Sequence, residues 1–227
     1  MASPRGAVVF DIDGTLLDSV DHHARAWVEA FAHFGIETEE AEVRRQIGKG
    51  GDQLLPVFVG PDRLERDGET IEAYRSDLFK RRYLAQVRPF PGVQDLLSRL
   101  REDGHTIALA SSGKASEVET YQKILGIEDL VDAVTSSDDA DRSKPHPDIF
   151  EAVLGKLPDL PKAAVIVVGD TPYDAEAAGK AGLSTIGLLC GGFPEADLSA
   201  AGCIAIYRDP QDLLDGYARS PLAVKKP

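Results

Sequence analysis

The chain opens on an uninterrupted apolar run, Ala7 to Phe10, that stops at Asp11-Ile12-Asp13-Gly14-Thr15. A short run without polar alternation, closed by a turn, predicts a buried strand. Runs of the same kind recur at Thr106–Ala110, Ala133–Thr135, Ala164–Val168, Ser184–Leu189 and Ile204–Tyr207. Between most of them, apolar positions return at helical spacing over Val93–Glu102, Ala115–Leu125, Pro147–Gly155 and Asp174–Ala181. Strands that are apolar throughout must be covered on both faces, so strands alternating with helices predict a doubly wound parallel α/β sheet.

From about Ser19 to Arg88 the rhythm changes, and no convincing strand can be read. Val20, Ala24, Trp27, Phe31 and Phe34 mark one face of a helix that ends at Gly35. Further helical stretches are expected at about Glu39–Ile47 and Arg63–Leu84, separated by a flexible break at Gly48-Lys49-Gly50-Gly51. Pro89, Pro91 and Gly92 mark the return to the core. The expected organisation is a core of residues 1–18 and 89–227, with a small α-helical domain, 19–88, inserted after the first strand. The last eight residues, Ser220 to Pro227, read as a frayed tail.

The 227 residues are 43% hydrophobic, ordinary for a globular chain with a sizeable core. A formal net charge of −13 argues against nucleic acid or an anionic membrane surface as partners. It leaves room for an anionic substrate, because a metal ion and a few local cations set the field of a pocket. No apolar run approaches a membrane span, and the start is too short for an export core. Cys190 and Cys203 lack metal-site spacing and read as reduced, buried thiols of a cytoplasmic protein. The oligomeric state is not legible.

The candidate chemistry sits at strand ends, where open α/β sheets bind ligands. Asp11 and Asp13 lie two apart, and two carboxylates held together repel unless a cation lies between them. Oxygen ligands of this kind suit a hard ion such as Mg²⁺, and a carboxylate can also act as a nucleophile. Ser111-Ser112-Gly113 offers hydroxyl and backbone donors suited to a phosphate, although alone it reads as a helix cap. Lys144 precedes a proline-fixed turn; alone, it is a solvated cation. Asp170 and Asp174 follow the strand ending at Val168; alone, Asp170 is another cap. Four strand ends carrying acid, hydroxyl, lysine and acid in that order are much harder to read as coincidence.

Together these residues resemble the haloacid dehalogenase superfamily across the whole core. Asp11-Ile12-Asp13-Gly14-Thr15 is similar to its first motif, Ser111 to the second, Lys144 to the third, and Gly169-Asp170 with Asp174 to the fourth. The resemblance implies a Rossmann-like core with the insert as a helical cap. It implies Mg²⁺ held by Asp11, Asp13, Asp170 and Asp174, with the backbone carbonyl of Asp13 taking part. Asp11 would be the nucleophile and Asp13 the acid and base, while Ser111, Ser112 and Lys144 would bind the phosphoryl group. The presence of Asp13 favours phosphate esters of small metabolites over carbon–halogen bonds. His23-Ala24-Arg25-Ala26-Trp27 resembles the start of the β-phosphoglucomutase cap, which makes a sugar-phosphate mutase the alternative to a phosphoglycolate-phosphatase-like enzyme. The plainer reading takes Trp27 as cap core and His23 as a polar helix residue. His23 and Lys49 are carried as substrate-facing candidates of the cap. A protein that kept the fold and only binds phosphate is the reading outside enzyme chemistry.

Overall fold

In the computed structural model, which describes residues 5–223, the first apolar run becomes a central strand because both of its faces are covered. Strand β1 (Ala7–Phe10) turns Val8 and Phe10 to one apolar cluster and Ala7 and Val9 to another. The chain continues through β2 (Leu17–Asp18), α1 (Val20–His33), α2 (Glu40–Arg44), α3 (Gly51–Phe58) and α4 (Pro61–Arg82). It returns through β3 (Arg88–Pro89), α5 (Val93–Glu102), β4 (Thr106–Ala110), α6 (Ala115–Leu125), β5 (Ala133–Thr135) and α7 (Asp148–Lys156). It closes with β6 (Val165–Gly169), α8 (Pro172–Ala181), β7 (Ser184–Leu188), α9 (Glu195–Ala200), β8 (Cys203–Tyr207) and α10 (Pro210–Asp215).

Six strands form one parallel sheet in the order β5-β4-β1-β6-β7-β8. Side chains from α5, α6 and α10 cover the face of Val8 and Phe10, and those of α7 and α8 cover the other. The architecture is therefore the Rossmann-like, doubly wound α/β sheet expected from the sequence. β1 lies near the middle, between β4 and β6, so its carboxyl end is flanked by two other strand ends. No helix among the described residues is long and apolar enough to cross a membrane.

The segment from α1 to α4 has its own apolar cluster, built on Trp27, Phe31, Val43, Leu54, Leu55 and Ile71. Ala26 and Phe79, on the same helices, join the main core instead. Two short strands carry the chain out and back, paired antiparallel as Leu17↔Pro89 and Asp18↔Arg88. This ribbon was not legible in the sequence, since two-residue strands are too short to show a period. Helix α3 was missed as well. It starts at Gly51 and contains Pro56, both poor helix residues, and is held by burial of Leu54 and Leu55. What read as a flexible break is a tight turn at Gly48-Lys49-Gly50 leading straight into that helix.

The frayed tail also needs correcting over its first four residues. Leu222 is buried in the main cluster, and its carbonyl accepts from His105 Nε2 at 3.0 Å. An apolar slot beside Tyr217 repays the ordering of this segment. Residues 1–4 and 224–227, including the remainder of the expected tail, lie outside the described residues. Cys190 and Cys203 are free thiols but half-buried rather than buried.

Candidate active site

The end of β1 is pinned to its neighbour before the acids begin: Asp11 N–H donates to Val168 O at 2.9 Å. The chain then folds back on itself, with Leu16 N–H and Leu17 N–H both donating to Ile12 O. Gly14 takes φ +87°, and a Cβ there would lie 2.4 Å from Asp170 Oδ2. The glycine is required twice over, by the turn and by the approach of β6.

Lys144 reaches Asp11 from the loop after β5 and has no exposed surface. Its Nζ lies 2.5 Å from Asp11 Oδ1, 2.7 Å from Asp174 Oδ1 and 3.1 Å from Ala110 O. Asp170 joins from the end of β6, and carboxylate oxygens of Asp11, Asp170 and Asp174 lie within 4.8 Å of one another. Thr15, whose role the sequence did not reveal, links them: its Oγ1 is 3.1 Å from Asp11 Oδ2 and 2.8 Å from Asp170 Oδ1. A hydroxyl has one proton, so it serves only one of the two fully. Asp174 is oriented by a capping box at the start of α8, in which its Oδ2 accepts from both Thr171 N and Thr171 Oγ1.

The electrostatics of this cluster call for a cation. Burial, reinforced by the charge of Asp174 and only partly offset by Lys144, pushes the Asp11 carboxyl up to about 7. Asp170 is held well above the usual carboxylate range by burial and then by Asp11 and Asp174. Burial opposes the charge of Lys144 too, but Asp11 and Asp174 outweigh it and hold its ammonium above the ordinary lysine range. Three carboxylates against one ammonium leave a formal excess of two negative charges, which one divalent ion neutralises. Asp170 Oδ2 is buried with no hydrogen-bond partner. An orphaned carboxylate oxygen in an all-oxygen donor set fits a hard ion such as Mg²⁺. The Asp13 carboxylate lies outside this cluster, and the share expected of Asp13 in a metal site was through its backbone carbonyl.

Instead, Asp13 Oδ1 accepts from Ser19 Oγ at 2.6 Å and lies 3.0 Å from His23 Nε2. Burial pushes against ionisation, but His23 and Ser19 prevail and hold the Asp13 carboxyl below its ordinary range. Its side chain keeps 19% exposure against 7% for Asp11, so it is the more open of the two acids. His23 is not a free polar residue: it is buried, stacked on Phe79 at 3.9 Å, and 3.3 Å from Tyr121 OH.

Ser111 is buried; its Oγ accepts from Gly113 N at 3.0 Å, leaving its own proton for another acceptor. Ser112 lines the cleft together with Asp11, Asp13, His23, Trp27, Lys49 and Arg75. The insert is closed over this cleft. Ser143 N–H donates to Asp52 Oδ2 at 3.0 Å, Tyr173 OH to Arg45 O at 2.7 Å, and Ser76 Oγ to Glu117 Oε1 at 2.8 Å. Lys49 lines the cleft as expected, but its Nζ is already engaged, 2.6 Å from Gln46 Oε1 and 4.6 Å above the Tyr173 ring.

The family model of haloacid dehalogenase-like hydrolases matches residues 8–188, from β1 through β7. The chain belongs to the haloacid dehalogenase-like hydrolase family. A phosphoglycolate phosphatase of Yersinia pestis is 35% identical over 189 residues, 81% of each chain. A phosphorylated carbohydrates phosphatase of Thermotoga maritima is 27% identical over 210 residues, 92% of this chain and 96% of that one. Among solved structures, a hydrolase from Pseudomonas syringae superposes with a TM-score of 0.85 at 29% identity, covering 94% of this chain and 98% of that one.

One element of this haloacid dehalogenase-like site lies beyond the sequence motifs. Gly191 follows β7 in a Gly-Gly pair, and a Cβ there would fall 1.6 Å from Asp170 Oδ2. Gly191→Ala must therefore move Asp170. If the acidic cluster holds Mg²⁺, the substitution is expected to weaken that binding on the order of tenfold to a hundredfold, as displaced supports of metal ligands do. Calorimetric titration with Mg²⁺ checks this, and an unchanged affinity would refute the role given to Asp170.

Proposed function

We propose that this hydrolase is a Mg²⁺-dependent phosphomonoesterase that acts on a small phosphorylated metabolite through an aspartyl-phosphate on Asp11. The observation that carries the reading is the contact of Lys144 with both Asp11 and Asp174 beside the orphaned Asp170 oxygen. That arrangement prepares a nucleophilic carboxylate in a field suited to incoming negative charge. The names of the relatives, phosphatases for phosphoglycolate and for phosphorylated carbohydrates, support the substrate class. Residues 19–88 act as a cap domain that excludes water, and the cytoplasm, where such metabolites are found, is the proposed location.

Asp11, Asp170 and Asp174, with the backbone carbonyl of Asp13, would hold Mg²⁺, Asp174 directly or through its neighbours. When bound, the ion offsets the charge of the phosphoryl group and of Asp11. A carboxylate oxygen of Asp11 attacks phosphorus, and the bond from phosphorus to the ester oxygen breaks. Asp13 gives its proton to the departing alkoxide. A bound phosphate dianion raises the proton affinity of Asp13, and His23 Nε2 at 3.0 Å is placed to exchange a proton with it. In the second half, Asp13 accepts a proton from water, which attacks the phosphorus and releases Asp11. The Ser111 hydroxyl and Ser112 N–H hold phosphoryl oxygens throughout, and Lys144 balances their charge.

The test is phosphate release from a panel of small phosphate esters, with Mg²⁺ or with a chelator. Removing the ion is expected to lower turnover to about 1% or less, since the charge stabilisation it supplies is worth several kcal/mol. Chelator-resistant turnover would refute the metal requirement. The mutase alternative draws on the same His23–Asp13 contact. It predicts conversion of β-glucose 1-phosphate that depends on a bisphosphate activator, whereas the phosphatase releases phosphate without one.

A further inference from the structure

Tyr121 is buried on α6, inside the apolar cluster of the main core, where a phenylalanine ring would fill the same space. A hydroxyl in so dry a place is costly unless it finds a partner. Burial first, then the charges of Asp13 and Glu117, hold this phenol well above the ordinary tyrosine range, so it keeps its proton. Among the described residues its oxygen meets one hydrogen-bond partner, His23 Nε2, at 3.3 Å. That nitrogen is the same one that lies 3.0 Å from Asp13 Oδ1.

His23 comes from α1 of the insert, and its ring lies flat on Phe79, with centroids 3.9 Å apart and planes 5° apart. A flat stack fixes the plane of an imidazole but not which edge points where. A half-turn about the Cβ–Cγ bond leaves the plane unchanged and puts a carbon in the place of Nε2. Asp13 cannot hold the edge alone, since it must offer its own proton to the leaving group. Tyr121 supplies a second anchor from the core side. We infer that Tyr121 is a positioning residue for leaving-group protonation, its hydroxyl holding the His23 ring so that Nε2 faces Asp13. The step it serves is the one in which the ester P–O bond breaks, the departing oxygen keeps the electron pair and Asp13 supplies the proton. This rests on the phosphomonoesterase reading and adds to it a residue outside the four motif segments.

The experiment compares phosphoglycolate, whose leaving group is an alkoxide, with para-nitrophenyl phosphate, whose phenolate departs without a proton. The readout is kcat/KM, which covers the steps up to departure of the leaving group. Tyr121→Phe removes the hydroxyl and keeps the ring. It should lower kcat/KM for phosphoglycolate on the order of tenfold, the worth of one hydrogen bond, and leave the aryl ester unchanged. In a His23→Gln background the same substitution should have no further effect on phosphoglycolate, because the two residues act as one unit. A role in packing alone would lower both esters together. That result, or an equal loss that persists in the His23→Gln background, overturns the inference. If the parent hydrolyses neither ester, the phosphomonoesterase reading falls. Heteronuclear NMR of the histidine ring nitrogens then decides the place of Tyr121 alone, with the His23 signals identified by their loss in His23→Gln. A shifted His23 Nε2 signal in Tyr121→Phe supports the anchoring contact, and an unmoved one overturns it.

Discussion

Asp11→Asn is expected to lower turnover by about 10⁴-fold or more, because a carboxamide oxygen cannot replace the attacking carboxylate. The fold should survive. Lys144 still has Asp174, at 2.7 Å in the parent, and Ala110 O, at 3.1 Å, as partners. The change also removes one of three buried carboxylates that repel one another in metal-free protein. Burial, reinforced by that repulsion, is what pushes Asp11 up to about 7, so losing the charge relieves the site. Thermal denaturation in a chelator should therefore show a midpoint equal to or above that of the parent. Single-turnover phosphate release checks the other half. Turnover within tenfold of the parent would exclude covalent catalysis by Asp11. A collapsed fold would show that the carboxylate is needed for structure.

The second large effect is expected of Lys144→Met, which keeps most of the side-chain length and removes the charge. Lys144 has no solvent-exposed surface, so its charge is not screened by water. Removing one partner of a buried ionic cluster costs about 3–5 kcal/mol, because the remaining charges have nothing to balance them. Asp11 and Asp174 are left in that position. The loss should be largest without metal and smaller with Mg²⁺, since the ion supplies the missing positive charge. Urea unfolding with and without Mg²⁺ reads this directly, and a cost independent of Mg²⁺ would separate Lys144 from the metal cluster. Turnover should also fall, by about 10² to 10³, the range typical of removing one preorganised charge stabiliser.

The two substitutions act on residues 133 positions apart in sequence that lie 2.5 Å apart in the fold. Asp11 and Lys144 were nevertheless legible as members of one set, because Asp11 ends an apolar strand run, Lys144 lies in the loop after another, and strand ends are where such sheets place their chemistry. Asp170 and the Ser111–Ser112 pair, which alone read as helix caps, gained their meaning from the same set. Ala133–Thr135, Thr106–Ala110, Val93–Glu102 and Ala115–Leu125 fall where the apolar pattern put them. The helices each bury one face, Val93, Leu96, Leu97 and Leu100 in the first and Val118, Tyr121 and Leu125 in the second, so burial writes a clear period into the residues. Helix α3 and the β2–β3 ribbon left no period, being too short or too rich in Gly and Pro.

What the sequence determined by itself was the set of chemical groups and the order of strands that carries them, since each follows from local pattern and spacing. Tertiary structure alone decided the partners. Asp13 turns to Ser19 and His23 rather than into the acidic cluster. Thr15 bridges Asp11 and Asp170, Gly191 makes room for Asp170, and Arg75 reaches the cleft from the middle of α4. The physical reason is range. Periodicity records which side of an element is dry, whereas a contact across the fold depends on how separate elements pack.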